Sequence, residues 1–324
     1  MKDIYFDENY GKLYEEIEKG KAIVFECKTK NGSIINQFIK RKIPIEIDNS
    51  IYYDIITPYG YGGPYIENAI NKEALIEDYK IKFGKYCKKN NIVAEFIRFH
   101  PLFGNAQDFK DVYEVSLNRK TLGTNLKKYE DPVGSEFSKS CRKNIRRKLN
   151  LGMRYKITVA PNDLSEFKKC YYSTMERNNA TEYYYFDNEY FDNIKKYYKD
   201  NIILVETIYT NKTIAAGLYF ICNNIIHIHL SGTLKEYLHL SPAYMLRYGI
   251  TLWGKENGYE MIHHGGGRTS AIDDPLYLFK EQFAKNTKLE FWIGKKVWNK
   301  NIYNKLCEKK EVDKNIDFFP AYRK

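Results

Sequence analysis

The chain of 324 residues contains no Cys-x-x-Cys pair; Cys27, Cys87, Cys141, Cys170, Cys222 and Cys307 are scattered singly. That pattern excludes the usual zinc spacings and a disulfide framework, and it fits a reducing compartment. No run of ~18 apolar residues occurs, so no membrane-spanning helix is expected. The N-terminal stretch Met1-Lys2-Asp3-Ile4-Tyr5-Phe6-Asp7-Glu8 lacks the apolar core of a signal peptide, which points to the cytoplasm. Acidic residues are in deficit, 41 against 52 Lys and Arg, for a net charge of +11. Such a balance favours polyanionic partners: nucleic acid, phosphorylated ligands or, peripherally, an anionic membrane face. No long heptad stretch is present.

The composition that remains is that of a folded protein, with 43% hydrophobic and 29% charged residues. The length suits two domains of ~150 residues. The two halves read alike. In the first, strands are expected over Ala22 to Cys27, Ser33 to Ile39 and Tyr52 to Ile56. A glycine-rich loop, Thr57 to Pro64, a helix from Lys72 to Asn90 and a strand from Ile92 to Phe99 follow. In the second, strands are expected over Ile202 to Ile208, Thr213 to Ile221 and Ile225 to Leu230. Ser231-Gly232 opens a loop, Ser241 caps a helix over Pro242 to Asn257, and a strand runs from Tyr259 to His263. Asn31-Gly32, Thr210-Asn211 and Asn223-Asn224 are turn signals between strands. The shared order of hairpin, strand, helix and strand indicates an internal duplication and an α/β fold with mixed sheets.

Three segments carry chemical interest. His263-His264-Gly265-Gly266-Gly267-Arg268 ends a strand in glycines, which lets a ligand approach the backbone. A short helix begun by Asp273, Asp274 and Pro275 follows, with Lys280 between Phe279 and Phe283. The two phenylalanines are four apart and can anchor one face, which would hold Lys280 beside the glycines. A fixed cation there suits an anionic ligand or a developing oxyanion; an ordinary surface lysine is the alternative. The third segment is the most basic: Lys139, Arg142, Lys143, Arg146, Arg147, Lys148, Arg154 and Lys156, with no acid between Ser138 and Lys156. Ser138 can cap a helix there and Gly152 can end it. Like charges four apart repel, so a helix without compensating acids suggests an anionic ligand, with a solvated basic face as the alternative. His227 and His229 share a strand without a third ligand at a recognisable spacing, so packing is favoured and no metal is expected. The Tyr183-Tyr184-Tyr185-Phe186 run suits a loop packed on its own domain better than a base-stacking platform.

The order of elements is similar to that of GNAT acyltransferases, in which two parallel strands splay apart and admit the acyl donor. The acyl-CoA signature of Arg or Gln followed by x-x-Gly-x-Gly is absent; the equivalent loop reads Thr233-Leu234-Lys235-Glu236-Tyr237-Leu238-His239-Leu240. Three segments together, 138 to 153, Leu276 to Phe283 and Leu289 to Asn299, resemble the Fem-type (FemABX) aminoacyltransferases that build peptidoglycan bridges. The resemblance implies two tandem GNAT-like domains, 1–132 (completed by 292–324) and 133–291, with the catalytic cleft in the second. It implies direct aminolysis: an amino acid moves from aminoacyl-tRNA to an amine of a peptidoglycan precursor, with no other cofactor. By resemblance Lys280 and Phe279 sit at the reacting centre. Arg142, Lys143, Arg146 and Arg147 would meet tRNA or a diphosphate. Tyr59, Gly60, Tyr61, Gly62 and Gly63 would line the precursor site, and Ser231, His264, Gly265, Gly266, Gly267 and Arg268 the reaction cleft. The family's usual Tyr-x-Pro-Arg-Gly-Pro loop reads Tyr59-Gly60-Tyr61-Gly62-Gly63-Pro64 here, with Gly62 in the arginine's place, which leaves the acceptor open. An acyl-CoA-dependent N-acyltransferase acting on an amino sugar, peptide or nucleotide-linked amine is the second reading. A nucleic-acid-binding protein ranks third.

Overall fold

A computed structural model describes residues 2–313 and 316–324. The chain forms two compact units. The N-terminal unit comprises Tyr5–Arg119 and Glu290–Lys324; the C-terminal unit comprises Lys120–Leu289 with the first residues up to Ile4. The division at 119/120 compares with the expected break after residue 132. Among the described residues no helix is long and apolar enough to cross a membrane.

In the N-terminal unit, α1 (Glu8–Lys12) and α2 (Glu15–Glu18) precede a hairpin of β1 (Gly20–Thr29) and β2 (Gly32–Lys42). β3 (Tyr53–Ile56) joins β2 antiparallel at one end and β4 (Tyr65–Ala69) joins it at the other. α3 (Lys72–Lys89) leads to β5 (Ile92–Arg98), which is parallel to β3. Asn71 caps α3 with its side chain, and Leu75, Tyr79, Phe83 and Cys87 recur every fourth residue to bury one face. That face meets Cys27, Ile34, Phe38, Ile55 and Phe99 of the sheet side. α4 (Asn105–Asp108) follows, and β12 (Lys288–Val297) pairs antiparallel with β5. α11 (Lys300–Lys309) closes over Ile43, Ile47 and Val93 through Ile302 and Leu306.

The C-terminal unit repeats the scheme. β6 (Glu114–Asn125) contributes Leu122–Asn125 as the antiparallel neighbour of β11 (Met261–Gly265). α5 (Pro132–Glu136) and α6 (Lys139–Asn150) lead to β7 (Arg154–Val159), and α7 (Ser165–Arg177) and α8 (Asn188–Tyr198) follow. The sheet then runs β7, β8 (Ile202–Tyr209), β9 (Lys212–Cys222), β10 (Ile225–Thr233), β11 and β6. β10 and β11 are parallel and are joined through α9 (Ala243–Glu256); α10 (Pro275–Glu281) follows β11. The match of β1-β2-β3-α3-β5 to β8-β9-β10-α9-β11 is the duplication that the sequence order implies.

Several local expectations change. Ser231, Gly232 and Thr233 continue β10 opposite Gly217, Ala216 and Ala215 instead of opening a loop. Ser241 does not cap α9: it adopts φ 48°, and Pro242 precedes the helix with no side-chain cap. β4, β6, β7, α7 and α8 lie in stretches left unassigned in the sequence. The caps of the basic helix and of α10 stand as expected, with Ser138 accepting from Cys141 N–H and Asp274 from Leu276 and Tyr277 N–H.

Candidate active site

The site in the C-terminal unit begins where β10 and β11 part. They pair only over Ile225–Met261, Ile226–Ile262 and His227–His263. β10 carries a bulge between Ile228 and Leu230, and β11 another between His263 and Gly265, where Gly265 turns at φ 72°. Bulges bend strands out of register, so the two diverge. Beyond this point lies a cavity of about 360 Å³. Ser231, Gly232 and Thr233 of β10 line it, with Ala243 and Leu246 of α9 and Thr174, Arg177 and Asn178 at the end of α7. Arg268 and the start of α10, Pro275, Leu276 and Phe279, complete it.

Arg177 and Arg268 line this cavity, and among the described residues no carboxylate does. Burial lowers the pKa of Arg177, and the nearby Arg268 lowers it further. Two guanidiniums brought together without a counter-charge favour an anionic ligand. Lys280 is half-buried, and its Nζ donates to the Gly266 carbonyl at 2.7 Å. α10 is anchored by Phe279 and Phe283, whose rings meet at 5.2 Å and each contact Tyr244. Asp274 pins the glycine loop to the helix: one oxygen accepts from Arg268 and Thr269 N–H, the other from Leu276 and Tyr277 N–H. These donors, Tyr277 foremost, hold its pKa down to about 2. A Cβ on Gly267 would come within 2.6 Å of an Asp274 oxygen, so this loop position requires glycine.

His264 is buried, and burial together with Arg247 and Lys280 keeps its pKa well below the ordinary value. Three other histidines have hydrogen-bond partners. His227 Nε2 meets Asp3 at 2.8 Å, His263 Nε2 meets Thr121 at 3.1 Å and His229 Nε2 meets Tyr190 at 2.7 Å. Burial lowers the His229 pKa to about 3. Phe186 stacks on Tyr190 at 4.2 Å while Tyr184 and Tyr185 stay exposed.

The structure thus brings Ser231, Arg268 and Phe279 onto one cavity wall and ties Lys280 to Gly266. The basic helix divides. Arg142 donates to the carbonyls of Gly134 and Phe137, so it is occupied within the fold. Lys143, Arg146 and Arg147 are exposed, whereas Cys141 and Ile145 are buried against Met245 and Phe283. Tyr59 to Gly63 belong to the N-terminal unit. Gly62 and Gly63 are buried, and only Tyr59, Gly60 and Tyr61 keep partial exposure. The Tyr59 carbonyl accepts from Tyr10, and a Cβ on Gly60 would come within 2.4 Å of the Tyr5 ring. Thr174, Arg177 and Arg247 are unsignalled in the sequence, since an isolated threonine or arginine carries no pattern.

Residues 137–285 match the family model of the acetyltransferase (GNAT) domain. This part of the chain is a GNAT acyltransferase domain. Its bounds enclose the splay, the cavity and Lys280. Across nearly the whole chain the fold is similar to that of FemX, with TM-score 0.70, 13% identity, and coverage of 93% of this chain and 94% of that one. The C-terminal domain of a putative lysylphosphatidylglycerol synthetase from Agrobacterium fabrum gives TM-score 0.59, 12% identity and coverage of 96% and 95%. L-PGS from Bacillus licheniformis gives TM-score 0.55, 14% identity and coverage of 90% and 91%. At such identities the likeness is one of fold: a Fem-type arrangement of two GNAT-like domains. No curated protein matches the sequence.

Proposed function

We propose that the protein transfers an aminoacyl group from aminoacyl-tRNA to an amine of a peptidoglycan precursor, in the cytoplasm. The observation that carries this reading is the state of α9's first turn. In a CoA-dependent GNAT domain the helix N-terminus offers free N–H groups to the donor's phosphates. Here Tyr244 N–H already bonds to Ser241 O at 3.4 Å and Met245 N–H to Pro242 O at 2.9 Å, and Pro242 has no N–H to give. The loop before it is wound into a 3-10 helix, Lys235–Leu240, rather than a glycine-rich cradle. The cations available to a donor are instead the side chains of Arg177 and Arg268 at the cavity. The exposed Lys143, Arg146 and Arg147 add a basic face suited to a polynucleotide.

The reaction needs a neutral amine positioned on the acyl carbon. The C–N bond forms, the ester C–O bond to the ribose breaks, and the amine proton ends on the ribose oxygen. Positioning and charge stabilisation supply most of the acceleration in such a step. Lys280, tethered to Gly266, is a fixed cation for the oxyanion or a donor phosphate. The test is transfer of labelled amino acid from charged tRNA to a precursor amine. Lys280→Ala is expected to lower turnover ~10²–10³-fold with unchanged unfolding; unchanged turnover would remove the role. The acetyltransferase description of the matched domain favours acyl-CoA as a second donor. Micromolar acyl-CoA binding with indifferent tRNA binding would select it.

A further inference from the structure

Arg247 is the deepest cation of the C-terminal unit and is 4% exposed. Its Nη1 donates to the Tyr219 hydroxyl at 3.3 Å, and its guanidinium lies 5.8 Å from that ring's centroid. Among the described residues no carboxylate pairs with it, and its Nε has no partner. A guanidinium removed from water without a counter-charge is costly to hold.

His264, 1% exposed, carries a second orphaned atom. Its Nε2 lies 2.8 Å from the Thr124 hydroxyl, which donates its single proton to the Phe283 carbonyl at 2.7 Å. Nε2 must therefore be the donor, which leaves Nδ1 as a bare acceptor, and no polar group among the described residues meets it.

Arg247 belongs to α9, which lines the cavity, and His264 lies close enough to Arg247 and Lys280 to feel both charges. Arg247 follows Ala243 by one turn on the same face of α9, and Ala243 and Leu246 are cavity wall. The Tyr219 ring lies over Gly217, where a Cβ would come within 2.8 Å of the phenol oxygen. Gly217 is the register partner of Ser231, also cavity wall, so the two face the same side of the sheet. His264 is the first residue of β11 past its last pair with β10.

We propose that Arg247, Tyr219 and His264 form the acyl-group pocket of the donor site and select an acidic aminoacyl group. The side-chain carboxylate accepts from Arg247 Nε–H and supplies the missing counter-charge. The α-amine donates to His264 Nδ1, so one ligand satisfies both orphaned atoms. This inference rests on the reading of the cavity as the donor site.

The probes are glutamic acid α-amide and aspartic acid α-amide, in which an amide replaces the ester to tRNA. Glutamine α-amide and alanine amide are the neutral controls. Calorimetry on the full chain is expected to show at least about tenfold tighter binding of an acidic amide. Arg247→Met should abolish that preference and Tyr219→Phe should weaken it. Arg247→Met should fold with an unchanged or raised melting temperature, because replacing a buried unpaired charge by an apolar chain is tolerated. If it fails to fold, Tyr219→Phe decides. Equal affinity for acidic and neutral amides, no binding of either, or an acidic preference that survives both substitutions would overturn the pocket. Charged-tRNA binding measured alongside separates the two readings. Intact tRNA binding without the acidic preference rejects this inference alone, and loss of both rejects the donor reading too.

Discussion

At the residue scale, burial shifts a carboxyl group of the N-terminal unit, that of Glu95, into the range where it titrates near neutrality. It is 1% exposed in the core of the N-terminal unit. One oxygen accepts from Trp298 Nε1 at 2.9 Å and the other from Asn36 at 3.1 Å. Burial raises its pKa to about 7, although the Trp298, Asn36 and Tyr113 hydrogen bonds and Lys296 pull the other way. The folded state therefore holds a proton that the unfolded state releases near 4.5. The stability this contributes is complete below pH 4.5 and is lost as pH rises through about 7. A shift of this size corresponds to roughly 3 kcal/mol. Glu95→Gln keeps a carbonyl acceptor and removes the ionisation. Urea unfolding followed by tryptophan fluorescence at pH 5 and pH 8 should show the wild type weaker at pH 8, with the difference much reduced in the variant. Equal stability of the wild type at both pH values would contradict this.

At the element scale, α6 carries buried-side and solvent-facing cations within one helix. Its apolar face is fixed by Cys141 and Ile145, and its N-terminus by Ser138. Arg142 turns back to two carbonyls, while Lys143, Arg146 and Arg147 face solvent. Arg142→Ala should destabilise the protein by about 1.5–3 kcal/mol, the range for a hydrogen bond to a charged group, and leave tRNA affinity per folded molecule unchanged. Replacing Arg146 and Arg147 together by Ala should leave stability within ~0.5 kcal/mol. It should weaken tRNA binding and lower the slope of log affinity against log salt by about 1.5–2. Paired unfolding and filter-binding measurements check both; a stability loss in the double variant would assign these cations to the fold.

At the scale of the whole molecule, duplication has produced two splay points with different fates. In the C-terminal unit, pairing stops at His227–His263 and a cavity opens. In the N-terminal unit the corresponding gap is stitched. Arg98 N–H bonds to Thr57 Oγ1 at 3.0 Å, its guanidinium to the Thr57 carbonyl at 2.9 Å, and Gly62 N–H to the Arg98 carbonyl at 2.8 Å. A parallel bridge joins Gly62 to Phe99, and Asn105 donates to the carbonyls of Gly62 and Pro64. Gly62 is thus backbone glue between two strands, with a Thr57 methyl carbon 3.5 Å from where its Cβ would lie. One donor molecule per chain is the expected stoichiometry, measurable by calorimetry with a non-hydrolysable charged tRNA. A value near two would mean that the stitched gap opens.

The sequence by itself determined the periodic and local features. Fourfold spacing of apolar residues places α3, Asn-Gly and Asn-Asn turns place the hairpins, and Ser138 and Asp274 cap their helices because capping is settled within three residues. The order of these elements, repeated, was enough for a two-domain GNAT-like architecture, and the glycine run with Lys280 follows the point where β11 parts from β10. What only the tertiary structure decided depends on partners distant in sequence. Ser231 to Thr233 became strand because β9 was there to pair with them. Ser241 lost its capping role to a left-handed turn. Arg142 and Arg146 share one helix face in the sequence, and only the carbonyls of Gly134 and Phe137 tell them apart. Arg177 and Arg247 have no local signature, because a buried cation is defined by the absence of a carboxylate around it. That absence is a property of three-dimensional packing, which no spacing along the chain can express.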